Sequence, residues 1–174
     1  MDSVERMLAQ IGTGKRPPLD DWNPALSGRI DIRIDGNGNW FHDGTAIERF
    51  ELVKLFASIL RYEDECGFVL VTPVEKWQLE VEDAPFMAVA MASSMQGDVQ
   101  VLRFVTNVGE EVSVDAEHRL VFDNPAANPK PYIQVRPGLT AKLSRPVYYQ
   151  LVDLAVQHEG RTGVWSCGIF FAID

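Results

Sequence analysis

The chain has 174 residues, with 25 acidic against 16 basic side chains and a formal net charge of −9. So acidic a chain, with its Lys and Arg scattered, is repelled by phosphate backbones and anionic lipid, which argues against nucleic-acid and membrane-surface partners. With 46% hydrophobic and 24% charged residues, it is long enough to bury roughly 70% of its unfolded surface and needs no disulfide or metal to hold a core.

Val4, Met7, Leu8 and Ile11 recur at helical spacing and predict a short helix that Gly12 ends. The N-terminus has no apolar core followed by a small-residue cleavage site, and no apolar run approaches the roughly 20 residues of a membrane span. The expected location is the cytoplasm. GTGKRPPLDDWNP follows as a breaker-rich connector, with Trp22 packing on the main body. Ile30, Ile32 and Ile34 then alternate with Asp31, Arg33 and Asp35, the pattern of a half-buried strand.

DGNGNWFHDG, from Asp35 to Gly44, looks like the start of a calcium loop. An EF-hand needs Gly at its sixth position and Glu at its twelfth, and here those are Trp40 and Ala46. The stretch is therefore read as a hairpin turn between strands. Thr45 to Arg61 reads as a helix opened by a T-x-x-E capping box, Thr45 and Glu48. Phe68–Thr72 is a buried strand ended by Pro73, and Trp77, Leu79 and Val81 mark another strand. Phe86 to Ala92 is continuously apolar and is expected to be covered on both faces. Further strands are expected at 99–105, 111–114 and 119–122. DNPAANPKP then forms a loop and the expected joint of the body. Strands at 132–136 and 139–143 flank a Pro137–Gly138 turn. A helix is expected from Arg145 to His158, with Tyr148, Leu151, Val152 and Ala155 as its inward stripe, and 164–173 is a final strand.

Ile47–Gly67 lies on Leu143–Gly163 without a gap. Arg49 matches Arg145, Leu55 matches Leu151, Glu63 matches Glu159 and Gly67 matches Gly163. Each copy has strands and a Gly turn before the helix and an apolar strand after it. The expected fold is α+β: two similar β-β-α-β lobes around antiparallel sheet, with a groove between them. Residues 1–28 form the N-terminal helix and connector, 29–95 the first lobe and 96–174 the second, packed closely with the first.

The run WNPALSGRIDIRIDGNGNWFHDGTAIERFELVKLFASILRYED resembles the start of an uncharacterised bacterial family, domain of unknown function 1285. VTPVEKWQLEVEDAPF, TNVGEEV, PYIQVRPGL, RPVYYQLVDLAV and VWSCGIFF carry the same resemblance, which covers nearly the whole chain from Trp22 on. It implies an α+β protein of two similar lobes, loosely like pleckstrin-homology folds, with a suggested role in signalling and no established catalytic residues.

No GxSxG, HExxH, P-loop or GxGxxG occurs, and no pair among His42, His118 and His158 has the spacing of a helical metal site. No metal or cofactor is expected. His158 is placed near a helix C-terminus, where it suits the end dipole. Cys66 and Cys167 have no basic neighbours in sequence, and Cys167 reads as buried in a strand. Thr72 and Glu75 emerge at a strand end, as a ligand site or as a turn satisfying its own backbone. Glu80 and Glu82 share a strand face beside Asp83, as a carboxylate pair or as a solvated face. Arg145 and Tyr149 share a helix face. Arg at a helix start wants an anionic partner, either a ligand or an internal carboxylate, and the repeat favours twin structural ion pairs at Arg49 and Arg145. Arg136 and Asn107, both beside turns, are further polar candidates.

The leading expectation is a non-catalytic ligand-binding or protein-interaction module, in bacterial signalling, whose site is lined by Thr72, Glu75, Asn107, Arg136, Arg145 and Tyr149. Its partner, a small molecule or a protein, is not specified. The alternative is an enzyme using Glu80, Glu82 and Asp83, which requires Glu80 and Glu82 to converge in a deep cleft. A structural subunit with an exposed apolar patch is a third reading.

Overall fold

The structure is a computed structural model that describes residues 2–11, 16–123 and 130–174. It divides into two compact units, Met1–Asp83 and Ala84–Asp174.

In the first unit, α1 (Ser3–Gln10) starts at Asp2, whose carboxylate accepts the Val4 N–H while Glu5 reaches back to the Asp2 N–H. Its buried face is Val4 and Met7, continued by Ile11. A short 3₁₀ turn, Leu19–Asp21, interrupts the connector. Then come β1 (Gly28–Ile34), β2 (Trp40–His42), β3 (Thr45–Ala46), α2 (Phe50–Ser58), β4 (Leu60–Glu63), β5 (Gly67–Val71) and β6 (Lys76–Val81). They form a six-stranded sheet in the order β3-β2-β1-β6-β5-β4. Ile32 and Ile34 point inward, as the alternation predicts, and Trp40 stacks on Phe56 of α2 at 6.2 Å. Burying such aromatic and branched side chains supplies most of the driving force.

The second unit contains β7 (Phe86–Gln96), β8 (Val99–Thr106), β9 (Glu111–Ser113), β10 (Leu120–Asp123), β11 (Lys130–Arg136) and β12 (Leu139–Leu143). These make a second six-stranded sheet, β10-β11-β12-β7-β8-β9. After it come α3 (Arg145–Asp153) and a three-stranded sheet of β13 (Val156–His158), β14 (Arg161–Ser166) and β15 (Ile169–Ala172).

The fold is α+β, with two similar lobes. Its unit of construction is the three-stranded antiparallel meander, which occurs five times among the described residues: β1–β3, β4–β6, β7–β9, β10–β12 and β13–β15. In each six-stranded sheet two meanders join through a single central parallel pair, β1 with β6 and β12 with β7. The six strands of each sheet therefore follow one topology. The internal repeat seen in sequence is a different one: meander, helix, meander, with α2 between β1–β3 and β4–β6 and α3 between β10–β12 and β13–β15.

Several expectations change in detail. The helix expected at 45–61 is shorter. Thr45 is taken by the hairpin β2–β3, whose turn residues Asp43 and Gly44 both have positive φ (50° and 75°), and Arg49 is the N-cap without a side-chain bond. Its last apolar residues, from Leu60, pair with β5. The helix expected to reach His158 stops at Asp153, because Val156–His158 pairs with β14. The strand expected at 164–173 is a hairpin, folded back at Cys167 and Gly168, which have φ of 52° and 76°. Cys167 is accordingly exposed rather than buried. Phe86 and Ala88 are buried, but β7 is exposed beyond them, so it is not covered on both faces. The structural division falls at Asp83/Ala84, before the 95/96 boundary drawn from sequence, because β7 pairs with β8 and β12. Most of the DNPAANPKP loop, residues 124–129, lies outside the described residues.

Candidate functional site

Thr72, fully buried, closes the turn between β5 and β6. Its N–H donates to the Glu75 carbonyl at 2.9 Å and its hydroxyl accepts the Glu75 N–H at 3.0 Å. The Glu75 carboxylate meets Arg6 Nε at 3.3 Å and Gln10 Nε2 at 3.3 Å, so this turn fastens α1 to the first unit. Asn107, just after β8, exchanges two hydrogen bonds with Met87: its Oδ1 accepts the Met87 N–H at 3.0 Å, and its own N–H donates to the Met87 carbonyl at 2.8 Å. Arg136, at the end of β11, lays its guanidinium over Phe86 at 5.5 Å, with Nε 3.9 Å from Glu110. Asn107 and Arg136 thus meet around the first two residues of β7.

Arg145 and Tyr149 stand on the outer face of α3. The buried residues of that helix are Val147 and Leu151. Arg145, Tyr149 and Val152 are exposed, Tyr149 to 58%, and Tyr148 is partly so. The Tyr148 ring lies 6.5 Å from Phe122 and 6.1 Å from Tyr149. Tyr148 and Val152, expected to point inward, lie on this outward stripe at i, i+3, i+4 and i+7 from Arg145. The twin ion pairs do not form. Arg49 and Arg145 are exposed, and no carboxylate stands within ion-pair distance of either among the described residues. A solvated guanidinium at a helix start is screened from the dipole and does not require an internal counter-ion.

Glu80 and Glu82 both face solvent. Glu82 accepts the Gly36 N–H at 3.2 Å and lies 3.7 Å from Arg33. Neither is buried. Glu80 does join Arg29, Asp31, Arg33 and Phe41 around an open depression of about 450 Å³ in the first unit. Its Arg33 guanidinium already lies 4.4 Å above Phe41. Sequence reading passed over this feature, although the alternation of Arg29, Asp31 and Arg33 announced it.

The stretch at Asp35 is a turn. Its Oδ1 accepts the N–H groups of Asn37 and Asn39, both at 2.9 Å, and its Oδ2 accepts Asn39 Nδ2 at 3.2 Å. Burial alone raises the Asp35 pKa, but these bonds and Arg33 outweigh it and hold the carboxyl below its ordinary value. The carboxylate is spent on the turn itself. Among the described residues no group of three His, Cys, Asp or Glu side chains is placed to hold a metal. His158 ends β13 rather than a helix and packs edge-on to Trp165 at 4.8 Å. His118 bonds Asp115 at 3.0 Å within a turn.

A cluster that sequence reading missed is Arg61–Glu63–Lys76. Glu63 accepts Lys76 Nζ at 2.9 Å and both Nε and Nη2 of Arg61, while Arg61 Nη1 donates to the carbonyls of Leu19 and Trp22, each at 2.8 Å. The network ties the connector to β4. Burial would raise the Glu63 pKa, but the bonds from Lys76 and Arg61 prevail and lower it. Its one sequence signal is Lys76, a cation opening a strand whose backbone continues into the core.

These features define a class: an α+β protein of repeated antiparallel meanders, with polar groups spent mainly on turns and docking. Family models match along nearly all of it, the N-terminal domain of DUF1285 at residues 17–84 and its C-terminal domain at 85–173. The chain belongs to the DUF1285 family, described as of unknown function. It is similar to the crystal structure of a DUF1285 family protein from Silicibacter pomeroyi DSS-3, at 40% identity and TM-score 0.90, covering 99% of this chain and 95% of that one. A second, from Shewanella baltica OS155, shares 32% identity at TM-score 0.59 over 71% of this chain and 91% of that one. Comparison with curated proteins gives no match. Among the described residues no helix is long and apolar enough to cross a membrane.

Proposed function

We propose that this chain is a non-catalytic binding module for a small molecule or protein partner, working in the cytoplasm in bacterial signal transduction. One observation carries the reading: the outward stripe of α3, with Arg145 free of any carboxylate among the described residues and Tyr149 58% exposed beside it. An exposed guanidinium next to aromatic rings is suited to a planar anionic group, which it meets by a forked hydrogen bond while the rings supply apolar contact. Of the six residues singled out in sequence, Arg145 and Tyr149 are the contact pair. Thr72, Glu75, Asn107 and Arg136 serve by holding turns and strand ends in place. The net charge of −9 argues against a nucleic-acid partner.

Native mass spectrometry on gently purified protein tests this. The expected spectrum shows a bound species beyond the 19.5 kDa chain and its whole multiples, which Arg145→Ala with Tyr149→Ala removes. An adduct that survives the double substitution, or bare chain in every preparation, overturns the assignment to α3.

A further inference from the structure

Every sheet edge among the described residues but one is short. The edge strands β3, β4, β9, β10, β13 and β15 have two to four residues each, and Arg61, Glu63, Glu111 and Asp123 place charges on three of them. Short length and charge are the usual means by which a sheet avoids pairing with another chain.

β7 lacks both protections. Its sequence, FMAVAMASSMQ, has no charged residue and no proline in eleven positions. β12 pairs with it only at Phe86, Met87 and Ala88. From Ala90 to Gln96 it pairs with β8 on one side, and no described strand covers the other. The side chains there are exposed, Val89 to 51% and Met95 to 60%, except for Met91, which is half-buried. Along such an edge about half of the N–H and C=O groups point outward.

We infer that residues 89–96 of β7 form a self-association edge, on which a second copy of this chain adds antiparallel to continue the sheet. The match of this segment with itself selects this occupant. Each copy carries −9, so two copies repel wherever acidic surfaces meet, and this neutral edge is where they approach without that cost. The segment also suits itself. A two-fold axis through Ser93 sets Ser93 opposite its own copy and Met91 opposite Met95 on either side, giving apolar pairs on one face and the small Ala92–Ser94 pairing on the other. The inference is independent of the α3 reading and concerns a different surface.

Sedimentation equilibrium on the full chain tests it. The wild type is expected to reach twice the 19.5 kDa chain mass with rising concentration, and amide exchange across residues 90–96 to slow in step. Ser93→Lys opposes two like charges at the axis and is expected to weaken the dimer on the order of 100-fold, with an unchanged circular dichroism spectrum. Ser93→Glu does the same alone, and a mixture of the Lys and Glu variants restores dimers. Ser93→Thr leaves the dimer intact. A wild type that stays monomeric up to its solubility limit overturns the proposal, including the case in which another protein's strand takes the edge. So does a dimer indifferent to both charged variants, or two variants whose mixture remains monomeric.

Discussion

α2 and α3 occupy the same place in the repeat, each between two three-stranded meanders, yet residues that match by sequence do different work around them. Gly67 and Gly163 align. Gly67 opens β5 at φ 74°, with open space where a Cβ would go. Gly163 sits inside β14, opposite Ala172, and there a Cβ would fall against the Phe171 carbonyl oxygen and 2.5 Å from Phe170 Cζ. One glycine is needed for a backbone angle, the other for the absence of a side chain. The cause is turn length. Three residues separate Glu63 from Gly67, whereas Glu159 and Gly160 alone close β13–β14, so the matched glycine moves from the turn into the strand. Identity at aligned positions does not certify a shared role.

The largest effect that tests this contrast is at Gly163. Gly163→Ala is expected to destabilise the second unit by about 3 kcal/mol, since backbone and a packed ring must both move. Gly67→Ala is expected to cost only about 1 kcal/mol of the first unit through its left-handed conformation. Urea unfolding separates them by fluorescence: of the four tryptophans, 165 alone lies in the second unit. Equal losses for the two variants would erase the distinction.

Glu63 and Glu159 sharpen it at a smaller scale. Glu63 neutralises Lys76, itself only 7% exposed, while Glu159 projects 85% of its side chain into water near His158. Glu63→Gln leaves a nearly buried cation without a counter-charge, at an expected cost of about 2 kcal/mol. Glu159→Gln is expected to stay within about 0.5 kcal/mol. The acid limb of stability should differ too. The Glu63 pKa is lowered on folding from an ordinary 4.5, so its contribution is complete above that value and is lost as pH falls through the lower, folded value. Glu63→Gln should therefore lose less stability than the wild type as pH falls below 4.5. A wild-type curve that parallels the variant's there would mean that the network carries no net charge coupling.

Period and turn chemistry made much of the fold legible. Ile30–Ile34, the Asp35 turn, β6 and the Pro137–Gly138 hairpin were readable because alternation and Gly/Asn positions express local physics. The helix ends were not, since Ile59–Leu60 and Ala155–Val156 satisfy a helical stripe and a strand equally, and pairing with β5 and β14 decides between them. The pairing of β1 with β6 and of β12 with β7 joins distant segments and leaves no local mark. At the candidate site, Thr72, Glu75, Asn107 and Arg136 were recognisable as polar residues beside turns, but nothing in sequence says whether such a group faces a backbone or a ligand. The Glu63–Lys76 bond spans two strands and was invisible for the same reason.

α3 supplies the smallest expected effect on stability. If the Arg145–Tyr149 stripe held the fold, replacing it would cost as much as the Glu63 network. It is solvated, with Val147 and Leu151 buried on the opposite side, so Arg145→Ala with Tyr149→Ala should change unfolding by no more than about 0.5 kcal/mol. Val147→Ala, by contrast, opens a cavity under the helix and should cost about 2 kcal/mol. Thermal unfolding of both variants checks this. A double variant as unstable as Val147→Ala would assign the stripe to structure and remove the basis for a binding role. A neutral one leaves an exposed cation and a tyrosine ring that the fold does not need, on a helix whose counterpart α2 places Val53 at the position of Tyr149.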